Sequence, residues 1–121
     1  ISMFPASMSS PGQLLMSDLS DQQIHQTFEG ITEIPGFETT GLPGLMEAIA
    51  RARQQGYARV RRPTKTGQVT IAVKIPSRPF AAVGIGGDLK DHQTDPLVAK
   101  LRATVADIDQ AILQMAKRVG L

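Results

Sequence analysis

An α+β fold, a small antiparallel sheet packed against helices, is what the sequence predicts, and three observations lead there. Residues 68–75 alternate strictly, with Val69, Ile71, Val73 and Ile75 interleaved with Gln68, Thr70, Ala72 and Lys74, the period of a strand with two distinct faces. The candidate strands on either side are joined to it by short Pro- and Gly-containing turns, too short for a parallel crossover, so the three form an antiparallel meander. Apolar residues at spacings of three and four flank this block on both sides, and helices there would cover the sheet.

The first eight residues are irregular, with Pro5 as a breaker. Ser9 and Ser10 precede Pro11, a favoured pairing of helix cap and first-turn proline, so a short helix is expected over 11–17. Ser20 with Gln23 three residues on is a capping box; it opens a second helix, with Ile24 and Phe28 on one face and Gly30 as its stop. A Pro- and Gly-rich loop carrying Glu33 and Glu38 follows. Pro43 opens a third helix in which Leu45, Met46, Ile49 and Ala52 recur at helical spacing until Gly56. Residues 57–62 read as the first strand, with Tyr57, Arg59 and Arg61 on one face and Ala58, Val60 and Arg62 on the other. Pro63 to Gly67 is a turn, residues 68–75 the second strand, Pro76-Ser77-Arg78-Pro79 a turn, and residues 80–85 the third strand. After a polar loop over 86–95, a long helix is expected from Pro96 to Arg118. Its stripe of Leu97, Leu101, Val105, Ile108, Ile112 and Met115 also has the spacing of a coiled-coil seam, but three strands need a cover, which favours packing on the sheet.

Composition narrows the function. At 121 residues, 41% apolar and 20% charged, the chain has the length of one globular domain. It has no cysteine, which removes disulfide and thiolate-metal chemistry and agrees with a reducing cytoplasm. No segment reads as a membrane span or signal peptide. A net charge of +2 does not argue for nucleic acid. Arg51, Arg53, Arg59, Arg61, Arg62 and Lys65 do lie close in sequence, but a phosphate-binding groove also wants aromatic stacking partners, and only Tyr57 is near. A solvated helix face followed by an exposed strand edge is the simpler reading. The chain opens on Ile1 rather than Met, which leads us to expect a fragment or a processed chain.

Catalytic and metal chemistry find little footing. His25 and His92 are far apart and share no ligand spacing. Ser9 and Ser10 have no oriented base beside them, as a nucleophile requires. Lys65-Thr66-Gly67 has the look of a catalytic triplet but lacks its serine partner and reads as a hairpin turn. Gly84-Ile85-Gly86-Gly87 resembles part of a phosphate loop, yet such a loop must run straight into a helix, and polar residues intervene. Glycines at a strand end instead let a backbone or ligand approach closely. No enzyme activity, metal or cofactor is therefore expected. The better binding feature is Ser9-Ser10-Pro11-Gly12, two hydroxyls and free amides at a helix start, which suits a carboxylate; plain helix capping accounts for the same residues.

Taken together these pieces resemble the effector-binding domain of IclR-type bacterial transcription regulators. Ser9-Ser10-Pro11-Gly12-Gln13-Leu14-Leu15-Met16 with Leu19-Ser20-Asp21, the helix ending Arg53-Gln54-Gln55-Gly56-Tyr57-Ala58, the strand Gly67 to Ile75, and Ala81-Ala82-Val83-Gly84-Ile85-Gly86-Gly87 each resemble a stretch of that family. The Gln-Gly-Tyr-Ala step is the most specific, and the likeness spans roughly residues 5–120. The resemblance implies a partial effector-binding domain over 1–121, with a GAF-like antiparallel sheet packed against helices, without the family's winged helix-turn-helix and without the first strands of its sheet. A cytoplasmic homo-oligomer, dimer or tetramer, is implied, reaching DNA only through that other domain.

It also implies a pocket against the sheet for a small organic effector, a carboxylate or aromatic catabolite. The ligand-binding residues carried over are Ser9, Ser10, Pro11, Gly12, Arg61, Thr70, Gly84 and Gly86. The sequence departs from the family where an acidic residue commonly follows Gly-Tyr-Ala; here stand Val60, Arg61 and Arg62. It departs again where serines are common at Gly84 and Gly86, and proline at Lys74. Arg61 turned inward could hold a carboxylate by a charge-assisted pair; turned outward, it leaves a roomier and more apolar pocket. The alternative to a sensor is a ligand-independent oligomerisation module of the same fold.

Overall fold

The alternation at residues 68–75 becomes the central strand of a three-stranded sheet in the computed structural model, which describes residues 6–62, 67–78 and 81–120. Strand β2 (Val69–Lys74) lies between β1 (Tyr57–Arg61) and β3 (Ala82–Gly87), antiparallel to both. The register pairs Tyr57 with Val73 and Arg61 with Val69 on one side, and Val69 with Gly87 and Lys74 with Ala82 on the other. The third strand thus runs two residues past the expected end at Ile85, because Gly86 and Gly87 find partners in Thr70 and Val69. Phe80 and Pro79, and most of the turn expected at 63–67, lie outside the described residues.

Each face of β2 meets a different layer. Val69, Ile71 and Val73 are buried against Val98, Leu101 and Val105 of the long helix α4 (Thr94–Arg118). The opposite face presents Ala72, which with Ala58 of β1 packs against Leu14 of α1 (Ser10–Met16) and Ala52 of α3 (Gly41–Gln55). These small residues let the helices sit close to the sheet. A third cluster, Met16, Ile24, Ile34, Leu45 and Ile49, ties α1 and α3 to α2 (Asp21–Thr27) and to the loop after it.

Helix ends follow local chemistry. Ser9 accepts a hydrogen bond from the Gly12 amide and caps α1, one residue earlier than expected. Ser20 and Gln23 form the expected capping box in full, with bonds of 2.9 and 3.1 Å. Gly56 ends α3 in the left-handed region at φ 78°, where a side chain would be strained. α3 begins at Gly41, so Pro43 sits inside its first turn. α4 begins at Thr94, ahead of Pro96, and a 3-10 turn at Asp91–Gln93 leads into it from what read as a loop.

The apolar stripe of α4 packs on the sheet only in part. Leu101 and Val105 are buried, together with Val98, which lies outside the expected stripe. Ile108 and Ile112 are half-buried, and Met115 is 66% exposed. Sheet packing therefore holds for the first half of the helix, while the second half runs past the strands.

Basic residues tie layers together. Arg53 donates to the Ser17 and Leu19 carbonyls and pairs with Asp21 at 3.2 Å, joining α3 to the α1–α2 connection. Lys74 pairs with Asp18, and Arg59 with Asp91 at 2.6 Å. Part of the basic run that read as a solvated face is thus structural. Because Ile71 is fully buried at the centre of the sheet, Ile71→Ala is expected to cost about 2–5 kcal/mol, measured as a lower urea midpoint with an unchanged slope.

Candidate functional site

The start of α1 crosses the sheet face that carries Ala58 and Ala72, and the site is built from that crossing. Antiparallel pairing places Val60 opposite Thr70, Thr70 opposite Gly86, and Ala72 opposite Gly84. Paired residues point to the same side, so Thr70, Gly84 and Gly86 share the face under α1. Above them lies a cavity of about 310 Å³, roofed by Ser9, Ser10 and Pro11 and walled by Arg62 and Ile85.

The two glycines keep this floor low. A Cβ on Gly84 would stand 3.1 Å from the Ile71 carbonyl oxygen, and one on Gly86 3.1 Å from Thr70 Cγ2. Any side chain there would crowd its neighbours and enter the space below the helix.

Polar groups at the roof are divided between structure and cavity. Ser9 Oγ is taken by the Gly12 amide, and the Ser9 carbonyl by the Gln13 amide. Pro11 has no amide hydrogen. The amides expected to be free at the helix start are therefore largely used in capping. Ser10 differs. Its side chain is fully buried, and its Oγ has no hydrogen-bond partner among the described residues. A buried hydroxyl without a partner costs about 1–3 kcal/mol. Thr70 Oγ1 donates to the Val60 carbonyl at a long 3.4 Å.

Six of the eight expected residues, Ser9, Ser10, Pro11, Thr70, Gly84 and Gly86, thus line one cavity. Gly12 does not. It sits where the chain of Ala6 crosses α1, and a Cβ there would lie 2.3 Å from the Ala6 carbonyl oxygen; its role is to let that crossing form. Arg61 does not line the cavity either. It is exposed, donates to the Gly67 carbonyl at 2.9 Å, and borders a separate cavity at the outer edge of β1 with Gln13 and Arg51.

Arg62 stands in the position foreseen for Arg61, half-buried at the cavity wall with its amide bonded to the Gln68 carbonyl at 2.7 Å. Strand parity carried the signal. Arg62 shares a face with Val60, and Val60 is opposite Thr70.

Other candidates stay apart from this site. His25 lies on α2 and His92 in the 3-10 turn, both exposed. Lys65 and Thr66 lie outside the described residues. Among the described residues no three histidines or carboxylates gather to hold a metal, and no helix is long and apolar enough to cross a membrane.

The family model for the C-terminal domain of bacterial IclR transcriptional regulators matches residues 2–110, and the chain belongs to this family, one of regulatory rather than enzymatic domains. Solved structures share the fold. The Agobacterium tumefaciens repressor BlcR is 23% identical with a TM-score of 0.72, over 91% of this chain and 49% of that one. A double mutant of the PobR inducer-binding domain from Acinetobacter, in complex with 3-hydroxybenzoic acid, is 21% identical with a TM-score of 0.71, over 88% and 66%. The C-terminal domain of the E. coli regulator KdgR is 20% identical with a TM-score of 0.70, over 88% and 70%. The chain spans about half the length of the Agobacterium repressor. No curated protein sequence matches it.

Ser10 and Gly12 separate the two demands made on this helix start. Ser10→Ala removes a buried hydroxyl that has no partner among the described residues, so the melting temperature should hold or rise. Gly12→Ala forces the Ala6 crossing apart and should destabilise by about 1–3 kcal/mol, and differential scanning calorimetry of both variants measures the contrast.

Proposed function

We propose that the chain is the small-molecule sensing domain of a bacterial transcription regulator, and that it takes up a small organic acid in the cavity beneath the start of α1. The observation that carries this is the Ser10 hydroxyl, fully buried at the roof of that cavity and without a partner among the described residues. A group of this kind is satisfied by whatever polar atom enters, and a carboxylate oxygen accepts its hydrogen bond well. Arg62 on the wall adds a positive charge, and Gly84 and Gly86 leave room for a flat body against the sheet. The volume is at the small end of the range of about 300–1,000 Å³ for small-molecule sites, which fits a single-ring or short-chain acid. The related PobR inducer-binding domain, solved with 3-hydroxybenzoic acid, supports the same ligand class.

In this reading the 121 residues form one partial effector-binding domain, working in the cytoplasm as a homo-oligomer. DNA is reached through a separate winged helix-turn-helix unit. The effector acts by binding one arrangement of the oligomer better than another, since only a difference in affinity shifts such an equilibrium.

Thermal unfolding with hydroxybenzoates and short aliphatic hydroxy and keto acids tests this. A bound acid should raise the melting temperature in a saturable way. Ser10→Ala and Arg62→Ala should each weaken that acid by about tenfold or more, the loss expected for one hydrogen bond to a charged group. A flat response across the whole acid set, with the protein folded, would sink the proposal.

A further inference from the structure

β3 carries two glycines that its own backbone does not require. Gly84 and Gly86 lie inside the strand, with φ outside the left-handed region. Any residue adopts such a conformation, and glycine within a strand weakens it. Ile85 between them pairs with Ile71, which bears on α4, so its side chain turns to that layer as well. Toward α1 the strand therefore presents bare backbone, bordered on β2 by Ala72 and Thr70. At about 3.3 Å per residue and about 4.8 Å between strands, this bare tile measures about 7 by 5 Å.

The groups around the tile have a polar side and an apolar side. Ser10, fully buried, brings to the cavity a hydroxyl without a partner among the described residues, and Pro11 beside it brings a flat apolar ring. Thr70 is turned the other way. Its hydroxyl donates to the Val60 carbonyl, and its methyl leans toward Gly86, where a Cβ would lie 3.1 Å from Cγ2. The floor between the strands is thus apolar, and the unmet polar demand is at Ser10.

We infer that the acid taken up here is a planar, single-ring carboxylate, and that Gly84 and Gly86 are the residues that select it. Its ring lies face down on the peptide planes of β3, with one edge against the Thr70 methyl and the carboxylate at the Ser10 hydroxyl. This rests on the reading of the cavity as an acid site and narrows it to one class of acid. A flat ring brings every ring atom to the contact distance of about 3.5–4.0 Å from bare backbone at once. A puckered ring of the same carbon number touches with part of its atoms and needs more depth, and a side chain on either glycine would consume that depth. The two positions differ in what they tolerate. A Cβ on Gly84 meets the Ile71 carbonyl oxygen, a backbone atom, whereas one on Gly86 meets the Thr70 methyl, which yields by a small rotation. Gly86 is therefore the position where the floor can be raised without disturbing the sheet.

Isothermal titration calorimetry of the 121-residue chain with benzoate, cyclohexanecarboxylate and propionate tests it. The two ring acids share a carboxylate and a carbon count and differ in flatness, while propionate is too short to cover the tile. Benzoate is expected to bind about tenfold or more tighter than cyclohexanecarboxylate, the loss that goes with giving up part of the face contact. Gly86→Ala is expected to weaken benzoate by about tenfold, as overpacking does, and to leave propionate unchanged. Equal binding of the two ring acids by the unaltered chain overturns planar selection and keeps the acid site, and so does propionate binding with neither ring acid bound. Benzoate binding unmoved in a folded Gly86→Ala chain overturns the role of the glycine floor. If that variant does not fold, the ring-acid pair on the unaltered chain still decides for or against a flat guest. No binding of any of the three overturns the acid-site reading itself, and this inference with it.

Discussion

The close crossing of α1 over the sheet is the constraint on which the rest of this domain hangs. A helix normally rests on side chains about 10 Å from the strands below it. Here the strands offer Ala58, Ala72, Gly84 and Gly86, so Leu14 and Ala52 reach the sheet directly, and the space that larger residues would fill is left at the helix start. The same scarcity of side chains makes both a tight core and an opening. Gly12 adds a second close approach, letting the Ala6 segment cross the helix just beyond the cap. A bulkier residue at any of these places would lift the helix or fill the cavity.

Charge is spent on holding this arrangement rather than on a surface field. Arg53 spans three groups at the α1–α2 connection, and Lys74 reaches Asp18 from the end of β2. Both residues secure the far end of α1, opposite the cavity. The near end is held by the Ser9 cap and by Ser7, whose hydroxyl bonds the Pro35 carbonyl at 2.7 Å. With both ends of a seven-residue helix fixed, Ser10 at the helix start carries the buried side-chain polar atom of α1 that has no hydrogen-bond partner among the described residues.

Much of this was legible in the residues. The alternation at Val69–Ile75, the Ser20–Gln23 box and the Gly56 stop are local signals with local causes, and each element formed where its pattern lay. Ser10, Thr70, Gly84 and Gly86 could be grouped because the family resemblance brought distant segments together, which no spacing rule does. What was not legible depended on register. Whether Arg61 or Arg62 faces the helix follows from which residue of β2 sits opposite Val60, and a one-residue slip reverses every face. The length of the α4 stripe was plain, but not how much of it the sheet could cover, because that depends on where the strands end relative to the helix.

β2 is a partition one residue thick. Thr70 borders the cavity beneath α1 and Ala72 packs under that helix, while Val69, Ile71 and Val73, their immediate neighbours along the chain, bear on α4. Nothing softer lies between the two compartments, since interiors at this packing density transmit displacement rather than absorb it. Thr70 on one side and Ile71 on the other are thus separated by a single peptide unit, so the cavity and the packing of α4 share one strand.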